Sequence, residues 1–458
     1  MSFSAQEVVM SSDSLSSIAS QTPFVQMEAP SQIIPVAVHP ELPAEALPGL
    51  VGAIVRECTR NSESDPAAVL FTLLTWFGVH VGSGIYVQVG ETQHPARLFC
   101  AIVGASSRAR KGTSTDPVRR FFETVEKMFA GLVTPLRCSP GPLSSGEGIV
   151  FSVRDASDTL NEKGEPQDLG VLDKRLLVLE GELGAALSSI QRQGNTLSAI
   201  LRTLWDSGTS APMTKHSRIQ TTKAHIGIVG HITRQELHEL LRSSDVWNGF
   251  ANRFLWIAAR RQKLVPLPSP MDDNTVVKLS GQLAEALSKA KNAGRIDFTS
   301  EAEEKWRGIY PVITKDLPGV VGVVTSRAEA QVRRLALIYA LLAQHDAIEA
   351  DDLRAAIVAW NYCHMSAEFV FGTAAADPDH NKVLKELSRG AMSQTEISKI
   401  FGGNMSAQRL SSILTDLQSC GRITAKREGG GPGKGRPKTI WSVTKGFELA
   451  DESLELDE

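Results

Sequence analysis

Short runs of consecutive apolar residues alternate along residues 85–262 with stretches whose apolar positions recur at i, i+3 and i+4. The runs Tyr86-Val-Gln-Val89, Leu98 to Val103, Arg175 to Glu180, His225 to Gly230 and Phe254 to Ala258 predict strands. Apolar side chains on successive positions mark strands covered on both faces, so the pattern predicts an α/β core with a largely parallel sheet. Ahead of it, Ala44 to Cys58 and Asp65 to Val79 carry helical spacing and form a helical lead-in over 41–84. Beyond Arg261, the run Val265-Pro-Leu-Pro-Ser-Pro270 breaks the alternation. Asn274 to Ala293, Glu301 to Val312, Ser326 to Gln344 and Ala350 to Phe371 then predict a helical lid or bundle over 263–371.

Residues 372–379 read as a linker, and 380–446 as a small separate domain. His380 to Ser388 is one helix, Ser393-Gln-Thr-Glu396 is a capping box that opens a second, and Ser406 opens a third ending at Cys420-Gly421. Arg422 to Arg427 and Thr439 to Val443 form a hairpin around the Gly-rich turn 428–438. Three helices and a hairpin predict a winged helix-turn-helix. The ends differ in character: 1–40, rich in Ser, Gln, Pro and Ala, reads as a disordered tail, and 447–458 as an acidic one.

Composition narrows the class. The chain has 458 residues, 42% of them hydrophobic, which is enough for several real cores. A net charge of −3 gives no global nucleic-acid signal, so any basic footprint must be local. Cys58, Cys100, Cys138, Cys363 and Cys420 form no CxxC pair, which argues against a zinc site or a disulfide framework and for a reducing, cytoplasmic compartment. The N-terminus lacks a basic, apolar leader. Residues 66–90 hold no charge, but Gly78, His80, Gly82, Ser83 and Gly84 interrupt them. A buried helix from Ala67 to Phe77 turning into a strand from Ile85 to Val89 fits that run better than a membrane span.

The first candidate chemistry lies between a predicted strand and a predicted helix, Pro117 to Phe129, in Gly104-Ala-Ser-Ser-Arg-Ala-Arg-Lys-Gly-Thr-Ser114. A strand, a small-residue loop with Lys and hydroxyls, and a helix N-terminus are the parts of a phosphate cradle. Backbone N–H groups wrap the phosphates, the Lys reaches the β and γ oxygens, and a hydroxyl holds Mg²⁺. The register is shifted from G-x-x-x-x-G-K-[ST]. Arg110 stands where the pattern puts Lys, Lys111 comes one position late, and Gly112 follows the Lys and displaces Thr113 and Ser114. Gly104, Arg110, Lys111, Gly112, Thr113 and Ser114 are the expected nucleotide-binding residues, with Thr113 on the metal; a basic surface turn is the plain alternative.

A phosphate loop needs an acidic partner at a neighbouring strand end. Leu176-Leu-Val-Leu-Glu180 followed by Glu182 supplies one, with Glu182 as catalytic base and Glu180 beside the metal, roles that are exchangeable. Two solvated carboxylates at a strand end are the competing account. His231 and Thr233, placed just after the strand ending at Gly230, are positioned to sense a γ-phosphate, or His231 is a hydrogen-bonded structural residue. Arg253, within Asn248-Gly-Phe-Ala-Asn-Arg-Phe254, needs an anion: a γ-phosphate reached as an arginine finger, or an ion pair with Glu180, Glu182 or Asp245. Arg333 and Arg334 are weaker candidates for a second sensor. No Gly-x-Ser-x-Gly elbow or His-Glu-x-x-His pair occurs.

Local charge speaks for DNA at the C-terminal end. From Arg422 to Lys445 seven Lys/Arg face one acid, Glu428. Gln408, Arg409 and Ser412 on the third helix, with Arg422, Lys426, Arg427, Lys434, Arg436 and Lys438 on the hairpin, are the expected DNA-binding residues. Winged helices also serve as protein-binding modules.

Val103-Gly-Ala-Ser-Ser-Arg-Ala-Arg-Lys-Gly-Thr-Ser114, Leu143-Ser-Ser-Gly-Glu-Gly148, Leu177-Val-Leu-Glu-Gly-Glu182, Gly230-His-Ile-Thr233 and Gly249-Phe-Ala-Asn-Arg-Phe254 follow one another in an order. Over residues 45 to 372 that order resembles a poorly characterised family of RecA-like P-loop proteins, helicase-like, encoded by phages, plasmids and integrated elements, often beside primase domains. The resemblance implies a RecA-like core over 85–262 that binds ATP and Mg²⁺. It also implies homo-oligomerisation, with a hexameric ring as one form, and primase or other replication proteins as partners. Lys111, Thr113, Glu182 and Arg253 would take the roles given above. The expected function is a DNA-dependent ATPase in replication of a mobile element; the alternative is a DNA-binding regulator or initiator whose shifted loop binds nucleotide without turnover.

Overall fold

The computed structural model describes residues 39–104, 112–212, 219–317, 319–372, 378–402, 405–419, 422–428 and 438–444. Its first half runs α1 (Gly49–Thr59), α2 (Pro66–Val81), β1 (Tyr86–Val89), β2 (Thr92–Pro95), β3 (Phe99–Gly104), α3 (Thr115–Met128), β4 (Cys138–Ser139), α4 (Gly146–Ser152) and β5 (Arg175–Glu180). Next come α5 (Leu183–Ile190), α6 (Leu197–Asp206), β6 (His225–Thr233), α7 (Arg234–Leu240), α8 (Ser243–Trp247) and β7 (Phe254–Ala259). Helices α9 (Asp273–Ala290), α10 (Ser300–Ile313), α11 (Gly319–Thr325), α12 (Ala328–Leu342) and α13 (Ala350–Phe371) follow.

Five strands form a wholly parallel sheet in the order β4-β5-β6-β3-β7. The chain is thus α/β, with a sheet of the Rossmann-like or RecA-like class. Period-2 alternation sorts side chains to two faces. Cys100, Ile102, Leu177, Val229, Leu255 and Ile257 join one core with α1, α2, α3, α9, α12 and most of α13. Phe99, Ala101, Val178, Ile226, Ile228 and Trp256 join a second core with α4 to α8 and the last turn of α13. Helices on both faces explain why the strands read as unbroken apolar runs.

Three expectations change here. The helical lead-in is a layer of the sandwich: every residue from Ala67 to His80 is buried, and α2 crosses beneath β3, β5, β6 and β7. Asp65 caps α2 by accepting from the Ala67 N–H at 2.8 Å, and the charge-free run is the signature of a helix enclosed on all sides. At the tightest approach, a Cβ on Gly227 of β6 would sit 2.3 Å from Val79 Cγ2. The helices of 263–371 likewise share the first core rather than standing apart as a lid, because the apolar stripes of α12 and α13 have nowhere else to be buried. Finally, β1 lies outside the parallel sheet and pairs antiparallel with β2, with Tyr86 opposite Pro95. No described helix is long and apolar enough to cross a membrane.

Past residue 377 come α14 (Pro378–Arg389), β8 (Met392–Ser393), α15 (Gln394–Ile400), α16 (Ala407–Ser419), β9 (Ile423–Glu428) and β10 (Lys438–Val443). The strands make a three-stranded antiparallel sheet, β8-β10-β9. Val383, Leu384, Leu387, Ile397, Leu410, Ile413, Leu414, Leu417 and Ile423 fill a separate small core. The Ser393–Glu396 capping box is present in both directions.

Candidate nucleotide site

In an open parallel sheet a ligand crevice forms beyond the carboxyl ends of two adjacent strands whose following helices lie on opposite faces. Strands β3 and β6 are such a pair. After β3 the chain enters α3, whose Val118, Phe121, Phe122 and Val125 pack into the first core. After β6 it enters α7, whose Leu237 packs into the second. The register sets Gly104 beside Thr233 at the mouth of this crevice.

The residues expected to bind nucleotide emerge there. Gly104 ends β3; Arg110 and Lys111 lie outside the described residues; Gly112–Ser114 make a 3₁₀ turn that leads into α3. Thr113 is exposed and its carbonyl accepts from Ser64 Oγ at 3.3 Å, while Ser114 is fully buried. Helix α3 thus begins at Thr115, directly after this 3₁₀ turn.

His231 and Thr233 belong to β6 itself, which runs three residues past the expected end at Gly230. The ladder with β3 continues through Ile102–His231 and Val103–Ile232, holding the strand extended. His231 is buried, with Nε2 3.2 Å from Thr115 Oγ1. Thr233 caps α7, accepting from the Glu236 N–H at 3.1 Å. One strand thereby connects the first turn of α3 to the helix on the opposite face. Thr115 escaped the sequence reading although it closes the hydroxyl run Thr113-Ser-Thr115.

The two acidic candidates part ways. Glu180 is 3% exposed, and its carboxylate accepts from the Leu143 N–H at 2.7 Å and the Glu182 N–H at 3.2 Å. It fastens the loop 139–143 to the end of β5. Gly141 sits so close, at φ +84°, that a Cβ there would meet Glu180 Oε2 at 2.7 Å. Glu182 is exposed at the N-cap of α5, with its carboxylate directed to neither of those partners. Of the pair, Glu182 is the one placed for solvent-side chemistry. Strand β6 stands between them and β3.

Compared with protein-family models and with curated proteins, the chain matches none.

Arg253 departs most from expectation. It is 7% exposed and sits at the amino end of β7, the end of the sheet opposite the crevice. Its partner is Asp206, at 2.6 Å, rather than Glu180, Glu182 or Asp245; Gly249 O accepts from it as well. No local signal in the sequence links residues 206 and 253, because the end of α6 reaches β7 only through the fold.

Of the residues expected to bind DNA, Arg409 is exposed on α16, 3.7 Å from Asp379, and its N–H donates to Ser406 Oγ. Arg422 donates to Gly372 O. Lys426 and Arg427 are exposed on β9 and Lys438 on β10, where Lys438 stands opposite Glu428. Gln408 and Ser412 lie in α16, and Lys434 and Arg436 fall outside the described residues.

Proposed function

We propose that this chain is a DNA-dependent, helicase-like ATPase of the RecA-like P-loop kind, serving DNA replication of a mobile element. The observation that carries the reading is the switch point between β3 and β6, whose following helices lie on opposite faces, with the buried strand β3 ending at Gly104 and the turn Gly112–Ser114 opening α3. Gly104, Arg110, Lys111, Gly112, Thr113 and Ser114 bind the triphosphate, and Glu182 is the base. Among the described residues no group of three or more His, Cys, Asp or Glu could hold an ion by itself. Mg²⁺ suits such a place, since it binds through substrate phosphates and one or two protein oxygens. Thr113 and Glu182, both exposed, are the residues that fit it; Glu180 is engaged by backbone. Bound there, the ion would neutralise phosphate charge.

The small C-terminal unit acts as a winged helix that anchors DNA, supported by its helices, antiparallel strands and exposed Lys426, Arg427 and Lys438. The protein works as a homo-oligomer, a hexameric ring being one form, alongside primase or other replication proteins in the cytoplasm.

The test is ATP hydrolysis by the full chain with and without single-stranded DNA, for wild type, Lys111→Ala and Glu182→Gln. Stimulated turnover lost in both variants supports the reading. A second reading, a DNA-binding regulator that holds nucleotide without cleaving it, is favoured by the shifted register of Lys111 and Gly112. Tight nucleotide and DNA binding with no turnover in wild type would select it.

A further inference from the structure

At the end of the sheet opposite the crevice, where the strands begin, Arg97, Arg253, Arg327 and Arg334 gather around Trp205. Arg334 Cζ lies 3.6 Å from the Trp205 ring centroid, with Arg327 at 5.3 Å and Arg253 at 5.8 Å. Arg97 and Arg334, each 1% exposed, are clamps: they donate to the carbonyls of Trp205, Ala224 and Arg97 at 2.7 to 3.1 Å. Carbonyls satisfy donors but carry no charge. The carboxylates that offset these guanidinium groups are Asp206 and Glu329, leaving the cluster strongly positive. An excess of partly buried like charge is costly unless an outside anion completes it.

The cluster is open on one side. Asp206 is 43% exposed and Arg327 34%, with Arg327 Nη1 3.4 Å from Asp206 Oδ1. Asp206 bridges Arg253 and Arg327, a carboxylate standing where an anion with two oxygens would sit. His94, half-buried on β2 beside the same arginines, has an Nδ1 with no hydrogen-bond partner among the described residues, as has the Nε of Arg253. These are buried, unsatisfied polar atoms beneath the positive opening. A guanidinium fork matches phosphate as well as it matches carboxylate.

We infer that this opening binds the phosphodiester backbone of a DNA strand, with Arg327 and Arg253 as its contacts and Asp206 as the internal anion that the phosphate displaces. The inference rests on the DNA-binding function proposed above. It adds a second contact to DNA, far in sequence from the wing. Arg327 touches the strand; Arg97 and Arg334 position the carbonyl framework beneath it.

The experiment measures binding of a fluorescein-labelled oligothymidylate to the full chain by anisotropy, across a salt series. Arg327→Gln should weaken binding about three- to tenfold and flatten the salt dependence by about 0.7, one single-strand phosphate contact. Asp206→Asn should tighten binding, because it removes the internal competitor. Arg307→Gln, at an exposed residue paired with Glu303 on α10, should change neither. Unchanged affinity and slope in Arg327→Gln, with wild type binding well, overturns the inference and leaves the DNA reading standing. So does a change in oligomeric mass by sedimentation without a change in slope, which would assign the opening to an acidic face of a second copy. Weaker binding by Asp206→Asn also overturns it. No binding by wild type overturns both.

Discussion

Thr115 Oγ1 lies 3.2 Å from His231 Nε2, joining the first turn of α3 to the strand that feeds the helix on the other face. The pair is buried and couples the two sides of the crevice. If it is one unit, its members are not additive. A double-mutant cycle of Thr115→Val and His231→Gln in urea unfolding should give an interaction of at least about 0.5 kcal/mol, the usual floor for residues in contact. Additive losses would mean the contact carries no coupling.

Glu180 and Glu182 should separate stability from chemistry. Glu180→Gln sets an NH₂ or a weaker acceptor against two backbone donors and should cost about 1 to 3 kcal/mol. Glu182→Gln, at an exposed position, should change stability by less than about 0.5 kcal/mol. In the ATPase assay the same Glu182→Gln should lower DNA-stimulated turnover at least about 100-fold, the scale of a lost general base. Equal thermal losses in the two variants would contradict this division.

Arg253 is an intramolecular partner of Asp206. Arg253→Ala should cost about 2 kcal/mol: breaking a buried pair costs more, but Asp206 is 43% exposed and water recovers part of the loss. Turnover per folded molecule should stay within about threefold of wild type, well short of a lost arginine finger. A drop of several hundredfold at unchanged melting temperature would restore the finger.

Acid should loosen the fold through buried histidines, His94 and His238 among them. Burial, and then the charges of Arg334, Arg333 and Arg327 set against Asp206, draw His94 down to about 4. Burial, and then Arg234, do the same to His238, also about 4. Above the ordinary value of 6.5 neither state of either residue is charged. Between 6.5 and about 4 the unfolded chain takes protons that the folded one refuses, so stability falls as pH falls. The urea midpoint should decline across that window, and His94→Gln should make the decline shallower. An identical slope in the variant would remove His94 from the account.

Gly227 marks where α2 touches the sheet. Gly227→Ala should cost about 1 to 3 kcal/mol by overpacking against Val79 and Thr75. Chemical denaturation of the two proteins checks it, and equal midpoints would mean that α2 shifts freely.

Much of this architecture is legible because burial leaves a periodic trace. Strand β5 and helix α13 fall on the residues where their patterns predict them. What stayed hidden depended on contacts distant in sequence. The alternation in Tyr86–Val89 marks a strand but not its partner, so nothing local distinguished a hairpin from a place in the main sheet. Cys138–Ser139 is too short to show any period, and it joins the sheet only by pairing with Leu177 and Val178. His231 read as a strand end because Gly230 looks like punctuation; the ladder with β3 carries the strand through it. Asp206 could not be matched to Arg253 before α6 and β7 were brought together.

The Tyr339 hydroxyl donates to the Ala46 carbonyl at 2.8 Å, 293 positions away in sequence, and α12 and α13 complete the core that α1 and α2 begin. A ribosome adding about 5 to 20 residues per second needs roughly 15 to 60 seconds to make that span. Until α12 and α13 have emerged, the core around the charge-free α2 is incomplete. The nascent chain therefore holds its stickiest surface open for most of its synthesis, and its yield in a cell depends on whatever shields Pro66–Val81 during that interval.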